Sequence, residues 1–261
     1  MATEWDAAAY RAVSALQAWL ADKSLASLTL AGGERVLDLG CGDGRISAAI
    51  AARLPRGTVL GVDASQHMVD FATAAFPPAT HGNLRFAVAD AAALALPTAF
   101  DLAVSFNALH WVRDLTAPLS GLRAALIAGG RASLRFVPAG PRQSLEDVIE
   151  DTCGAPAWRR WFVGHQAPFV HPDADQYAAL ARGCGFAVER AEVVRETWDF
   201  GSRAAFASFA DATFVAWTQH LPSERRAEFI ADALDRYAAV QPPAPAHAFV
   251  FDQLEIALAK R

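Results

Sequence analysis

Three aspartates, each at or beside the carboxyl end of a short apolar run, carry most of the chemical information in the sequence. The first stands in Glu34-Arg-Val-Leu-Asp38-Leu-Gly40-Cys41-Gly42-Asp43-Gly44. Here a buried-strand pattern enters a glycine-rich turn and a helix pattern begins at Arg45. Glycines let the backbone take positive φ and let a ligand approach main-chain amides at a helix start. A dinucleotide turn reads G-x-G-x-x-G, whereas this one reads G-x-G-x-G with Arg45 in place of the third glycine. The Asp38 carboxylate beside the turn suits a ligand with an ammonium group better than one with phosphates. Asp63 closes the next apolar run, where a carboxylate accepts hydrogen bonds from both hydroxyls of a ribose. Asp90 follows the third run and is placed to meet an adenine amino group. Met68, one turn into the helix after Asp63, is placed to cover a face of the base. Cys41, Ala64, Ala91 and Asn107 complete that wall.

These residues need a frame that brings strand ends together. Apolar runs at Arg35–Leu39, Thr58–Val62, Leu84–Val88, Leu102–Phe106 and Arg131–Phe136 are continuous rather than alternating, as strands covered on both faces require. Helical patterns fill the gaps at 45–54, 65–75 and 115–127, and the turn Ala128-Gly129-Gly130 follows the last. Strand alternating with helix predicts right-handed crossovers. The fold class is α/β: a doubly wound, Rossmann-like, mostly parallel seven-stranded sheet with helices on both faces and a helical cap built from insertions. The expected organisation is a lid segment at 1–30 with a helix over 7–21, a ligand-binding core at 31–138 and an insertion at 139–184. The remainder, 185–261, completes the sheet. It holds strands at 185–194 and 249–257 around a helical pair within 203–240, the second helix capped by Ser223.

Composition sets bounds. The 261 residues are 53% hydrophobic and 20% charged, enough for a sizeable core, and the net charge is −5. With no basic face in evidence, nucleic acid is disfavoured as a partner. Three widely spaced cysteines, no metal-ligand spacing, acidic residues at the amino terminus and no apolar run of ~20 residues point to a cytoplasmic, metal-free chain that does not enter a membrane.

The stretch from Glu34 to Val112 resembles the class I S-adenosylmethionine-dependent methyltransferases. That family's glycine motif, ribose acid and adenine-side acid match Asp38/Gly40/Gly42/Gly44, Asp63 and Asp90, and the cofactor implied is S-adenosylmethionine, with S-adenosylhomocysteine as product. Weaker motifs over most of the chain are similar to the trans-aconitate and juvenile hormone acid methyltransferase groups. These are the amino-terminal Trp5, Tyr10 and Gln17, the segment Asn107-Ala-Leu-His110-Trp111-Val112 and the late His220-Leu-Pro. The resemblance implies an enzyme that methylates a small molecule on oxygen, a carboxylate among the candidates, with Gln17, Trp111 and Tyr10 as acceptor-binding residues. A carboxylate is ionised at neutral pH and needs donors rather than a base; for a phenol or amine, His110 is the candidate base.

Arg135, Arg142, Arg159 and Arg160 are candidates to hold an acidic acceptor, and the aromatic-rich stretch 158–217 to line an apolar pocket. The expected state is a monomer or homodimer. The competing readings are a non-catalytic S-adenosylmethionine-binding module and a nicotinamide-dependent oxidoreductase. RNA or protein methylation is disfavoured, because no Asn/Asp-Pro-Pro-Tyr-type motif follows the fourth strand.

Overall fold

A computed structural model describes residues 15–241 and 245–261. Seven strands lie in one sheet in the order β3-β2-β1-β4-β5-β7-β6. They are β1 (Arg35–Leu39), β2 (Thr58–Asp63), β3 (Leu84–Val88), β4 (Phe100–Phe106), β5 (Leu126–Phe136), β6 (Phe186–Asp199) and β7 (Ala248–Lys260). Pairs among β1 to β5 are parallel; β7 runs antiparallel to both β5 and β6. The strand order turns back between β1 and β4. In an open α/β sheet that switch point opens a crevice at the carboxyl ends of the strands.

Helices α1 (Ala15–Ala26), α2 (Arg45–Ala52), α3 (Gln66–Ala75), α4 (Thr116–Ala125), α5 (Leu145–Gly154) and α6 (Ala174–Gly183) accompany the strands. Three more, α7 (Arg203–Thr213), α8 (Val215–Thr218) and α9 (Ser223–Val240), lie between β6 and β7. One apolar cluster joins β1, β2 and β4 to α2, and a second joins β4, β5 and β7 to α4 and α6. The third forms the cap: Phe206, Phe209, Phe214, Trp217, Phe229 and Trp158 pack with Phe249 and Phe251 of β7.

Several boundaries differ from expectation, among them β6 and β7, which run on to Asp199 and Lys260. The amino-terminal helix runs on to Ala26, and the part expected over 7–14 lies outside the described residues. The expected turn at 128–130 is a bulge within β5. Leu126 already pairs with Phe100, and the register then jumps to Leu102–Arg131 as Gly129 takes φ 75°. The first helix of the pair expected within 203–240 breaks at Phe214, where the Thr213 hydroxyl bonds back to Phe209 O at 2.8 Å; such a bond competes with the helix ladder and bends it. Ser223 is not the cap of α9. Pro222 occupies that position in extended backbone, and the Ser223 hydroxyl turns to Glu224.

Candidate functional site

The carboxyl ends of β1, β2, β4 and β5 open into one continuous cavity of about 960 Å³ that extends beneath the cap. Its cofactor-side wall is made largely by backbone. Gly40 takes φ 80°, and a β-carbon there would fall 2.2 Å from that of Ala108, so only glycine fits. The amides of Gly40 and Cys41 both donate to Val62 O, at 2.7 and 3.0 Å, which ties the turn after β1 to the end of β2. Gly42 N donates to Asp63 Oδ2 at 2.9 Å, and Ser65 N to Asp63 Oδ1 at 3.0 Å. Both oxygens are thus held by main chain, and the carboxylate is fixed at the cavity wall. Ser65 caps α3 by accepting from Met68 N, which seats Met68 in the same wall. Asp90 caps a short helical turn through Ala92 N at 2.8 Å and lines the cavity with Ala64 and Ala91. Asn107 ends β4 in the left-handed region at φ 58°, its amide donating to Arg135 O at 2.7 Å. Asparagine tolerates that conformation better than most residues, and such backbone concentrates at working sites.

Asp38 stands behind the turn and does not line the cavity. It is 2% exposed and accepts from Ser47 Oγ at 2.6 Å. Burial, opposed by that bond and reinforced by the Asp63 and Asp43 charges, pushes its carboxyl up to about 7. Cys41 and Gly44 also stand outside the lining. Gly44 lets α2 approach β3: a β-carbon there would meet Phe86 at 2.6 Å.

Beyond Asn107 the wall becomes side chains. One stripe of α1, Gln17, Leu20, Ala21 and Ser24, faces the cavity at helical spacing. This helix is pinned to β6 by the Lys23–Glu196 ion pair and by Trp19 against Trp198 at 5.6 Å between ring centres. Trp111 lies opposite, edge-on to Phe169 and Trp217. Trp217 is oriented by donating to Glu150 on α5 at 2.6 Å. That helix starts with a reciprocal Ser144–Asp147 cap and adds Leu145 and Ile149 to the wall. The insertion that adds α5 and Trp158 to the cap is closed at its neck by main-chain bonds, Val170 N to His110 O at 2.7 Å and Ala139 N to Pro172 O at 2.9 Å.

His110 lines the cavity at 3% exposure, and burial together with the neighbouring His171 holds its imidazole down at about 3. It is neutral at physiological pH and too weakly basic to draw a proton from a phenol or ammonium with much driving force. Gln17 Oε1 and His110 Nδ1 are buried and have no hydrogen-bond partner.

Other expectations resolve differently. Arg135 is consumed by Glu196 at 3.0 Å and Glu255 at 3.4 Å, Arg142 by Gln241, Val250 O and Asp252, and Arg160 stacks on Trp161. None of these, nor Arg159, lines the cavity, because nearby acids, backbone and aromatic faces take them first. Phe209, Phe214 and Trp217 do line it, while Phe206 packs inside the cap. Tyr10 and Trp5 lie outside the described residues. Sequence reasoning missed the contribution of β7: Phe249, Phe251 and Gln253, on one face of the strand, all line the cavity. The available signal was strand alternation, which sets Gln253 on the same face as Phe249 and Phe251. Among the described residues, no group of His, Cys, Asp and Glu is arranged to hold a metal, and no helix is long and apolar enough to cross a membrane.

Comparison with known proteins places this geometry. Residues 36–130 match the family model described as a methyltransferase domain. A candidate methyltransferase, 235L, of Invertebrate iridescent virus 6 is 25% identical over 89% of this chain and 85% of its own. Trans-aconitate 2-methyltransferase of Deinococcus radiodurans is 35% identical over 58% of this chain and 57% of its own length. Juvenile hormone acid O-methyltransferase of Bombyx mori is 30% identical over 55% and 51%. The alignments with these last two relatives thus span little more than half of each. The crystal structure of a candidate methyltransferase from Bacillus halodurans superposes over 92% of this chain and 98% of its own, with TM-score 0.63 at 15% identity, a likeness of fold. Residues 36–130 thus carry a methyltransferase domain, and an enzyme similar to the class I S-adenosylmethionine-dependent methyltransferases is the reading these matches support.

Proposed function

We propose that the protein methylates a small, largely apolar molecule on oxygen, with a carboxylate as the receiving group. The observation that carries the reading is the continuity of the cavity, which joins the acid- and glycine-lined crevice at the strand ends to an aromatic chamber under the cap. The residues present suit S-adenosylmethionine. Gly40, which admits no side chain, brings main chain close to the ligand; Asp63, held by two backbone donors, receives the ribose hydroxyls; and Asp90 and Met68 flank the adenine. Asp38 acts indirectly, by bracing the glycine turn from behind through Ser47.

When bound, the cofactor supplies an electrophilic methyl group on a sulfonium. The chain's task is then to hold an acceptor oxygen in line with that methyl and to keep water out, which is worth ~7–11 kcal/mol in well-oriented systems. Gln17 and the Trp111 indole hold the acceptor's head, and Phe209, Phe214, Trp217, Phe249 and Phe251 enclose its apolar body. A carboxylate arrives ionised and needs no base, which accords with a His110 held near 3. The names of the trans-aconitate and juvenile hormone acid relatives also describe acid substrates. Arg135, Arg142 and Arg160 are engaged elsewhere, and Arg113, which lines the cavity, donates to Ala167 O; this favours an acid with a hydrophobic body over a polyanion.

The test is methyl release from S-adenosylmethionine across a panel of carboxylic acids, phenols and amines, with parallel calorimetry using S-adenosylhomocysteine and NAD. The expected result is S-adenosylhomocysteine binding and turnover of apolar acids. Binding without turnover by any acceptor would indicate a non-catalytic module, and heat with NAD alone would overturn the cofactor assignment.

A further inference from the structure

Gln253 has no place in the machinery so far described. It sits on β7 at 1% exposure, lines the cavity, and follows Phe249 and Phe251 on the same face of the strand. Its Oε1 has no hydrogen-bond partner, and its Nε2 reaches only the carbonyl of the adjacent Asp252, at 3.5 Å. A buried amide left in this state destabilises the protein by more than its replacement with an apolar side chain would. An apolar strand face that ends on an unpaired amide at a cavity wall has the form of a ligand-reading group.

We infer that Gln253 is a specificity-determining residue of the acceptor chamber, hydrogen-bonding a neutral polar group of the acceptor, a hydroxyl or carbonyl, separate from the group that receives the methyl. The inference rests on the acceptor reading above. It adds that the preferred acid is functionalised along its body rather than a bare hydrocarbon acid. The amide both donates and accepts, so it serves a hydroxyl or a carbonyl equally. A site built to bond a polar group discriminates strongly against the analogue that lacks it, because the site's own partner is then left unpaired.

The experiment uses the full chain loaded with S-adenosylhomocysteine and paired probes: octanoate with 8-hydroxyoctanoate, and cinnamate with 4-hydroxycinnamate. Dissociation constants are measured for wild type and for Gln253→Leu, with Gln253→Met as a second apolar variant should the first not fold. The wild type is expected to favour the hydroxylated member of at least one pair by about fivefold or more. The variant is expected to lose that preference while keeping its affinity for S-adenosylhomocysteine and melting no lower than wild type. A preference unchanged by the substitution, an equal loss for both members of a pair, or no preference in the wild type would each overturn the inference. Failure of the wild type to bind S-adenosylhomocysteine would instead overturn the cofactor reading, so the two failures are distinguishable.

Discussion

The two ends of the cavity are built in different ways. At the cofactor end the protein presents backbone: positive-φ glycines, amides shared between neighbouring strand ends, and an Asp63 carboxylate whose two oxygens are already held by Gly42 and Ser65. At the acceptor end it presents side chains from α1, α5, α7, α8 and β7, and it leaves the amide oxygens of Gln17 and Gln253 without partners. Backbone geometry suits a ligand that never changes, because it is fixed by the fold. A side-chain wall suits a ligand that varies between relatives, because single substitutions reshape it.

The contrast can be broken at its strongest point first. Gly40→Ala puts a methyl group into Ala108 at a residue with φ 80°. It should cost about 3 kcal/mol of stability and weaken S-adenosylhomocysteine binding at least about 100-fold, read by denaturant unfolding and calorimetry. Retained binding would mean that the turn is not a rigid cradle. Asp63→Ala should weaken the same binding by ~1–3 kcal/mol; unchanged affinity in a folded variant would remove the ribose assignment.

Two buried groups, one from each end, make opposite demands on pH. Asp38 is raised to about 7, so the folded state keeps its proton above the unfolded pKa, and its contribution to stability is lost as pH rises from ~4 through 7. His110 is lowered to about 3, so its contribution is present above the unfolded value near 6.5 and is lost as pH falls through 3. Over the shared window the slopes, each up to ~1.4 kcal/mol per pH unit, oppose one another. Asp38→Asn should therefore leave a stability that climbs with pH between about 4 and 6.5, and His110→Gln one that declines. Parallel profiles for both variants, measured by urea unfolding without ligand, would refute the pairing. At the acceptor end, Gln17→Ala and Trp111→Phe should each reduce turnover by about tenfold, roughly the worth of one hydrogen bond, and spare cofactor affinity. Equal loss of cofactor affinity would move those residues to the other end of the cavity.

The same contrast explains what could be read from sequence. The run that became β1 has the expected bounds because both of its faces are covered; β3 also keeps its expected bounds, although it is an edge strand exposed beyond Leu84. That Asp63, Met68 and Asp90 line one cavity was readable because strand ends in this topology converge without help from distant chain. Arg135 was misread because nothing local reveals that Glu196 and Glu255, far along the chain, close around it. Gln253 was overlooked for a related reason: its significance comes from the missing partner, and that is a property of the assembled cavity rather than of the run it sits in. The break at Phe214 follows Thr213, whose hydroxyl bonds to Phe209 O, a local event that periodicity does not register.

The insertion over residues 139–172 returns to its point of departure and is fastened there by Val170 to His110 and by Ala139 to Pro172, main chain to main chain. Such a clasp is indifferent to which amino acids lie between its ends. What lies between the ends is tied in by side chains instead: Glu150 accepts from the Trp217 indole and the Trp158 indole donates to Asp232 on α9, so the stretch enters and leaves on main chain and is seated by the helices it meets.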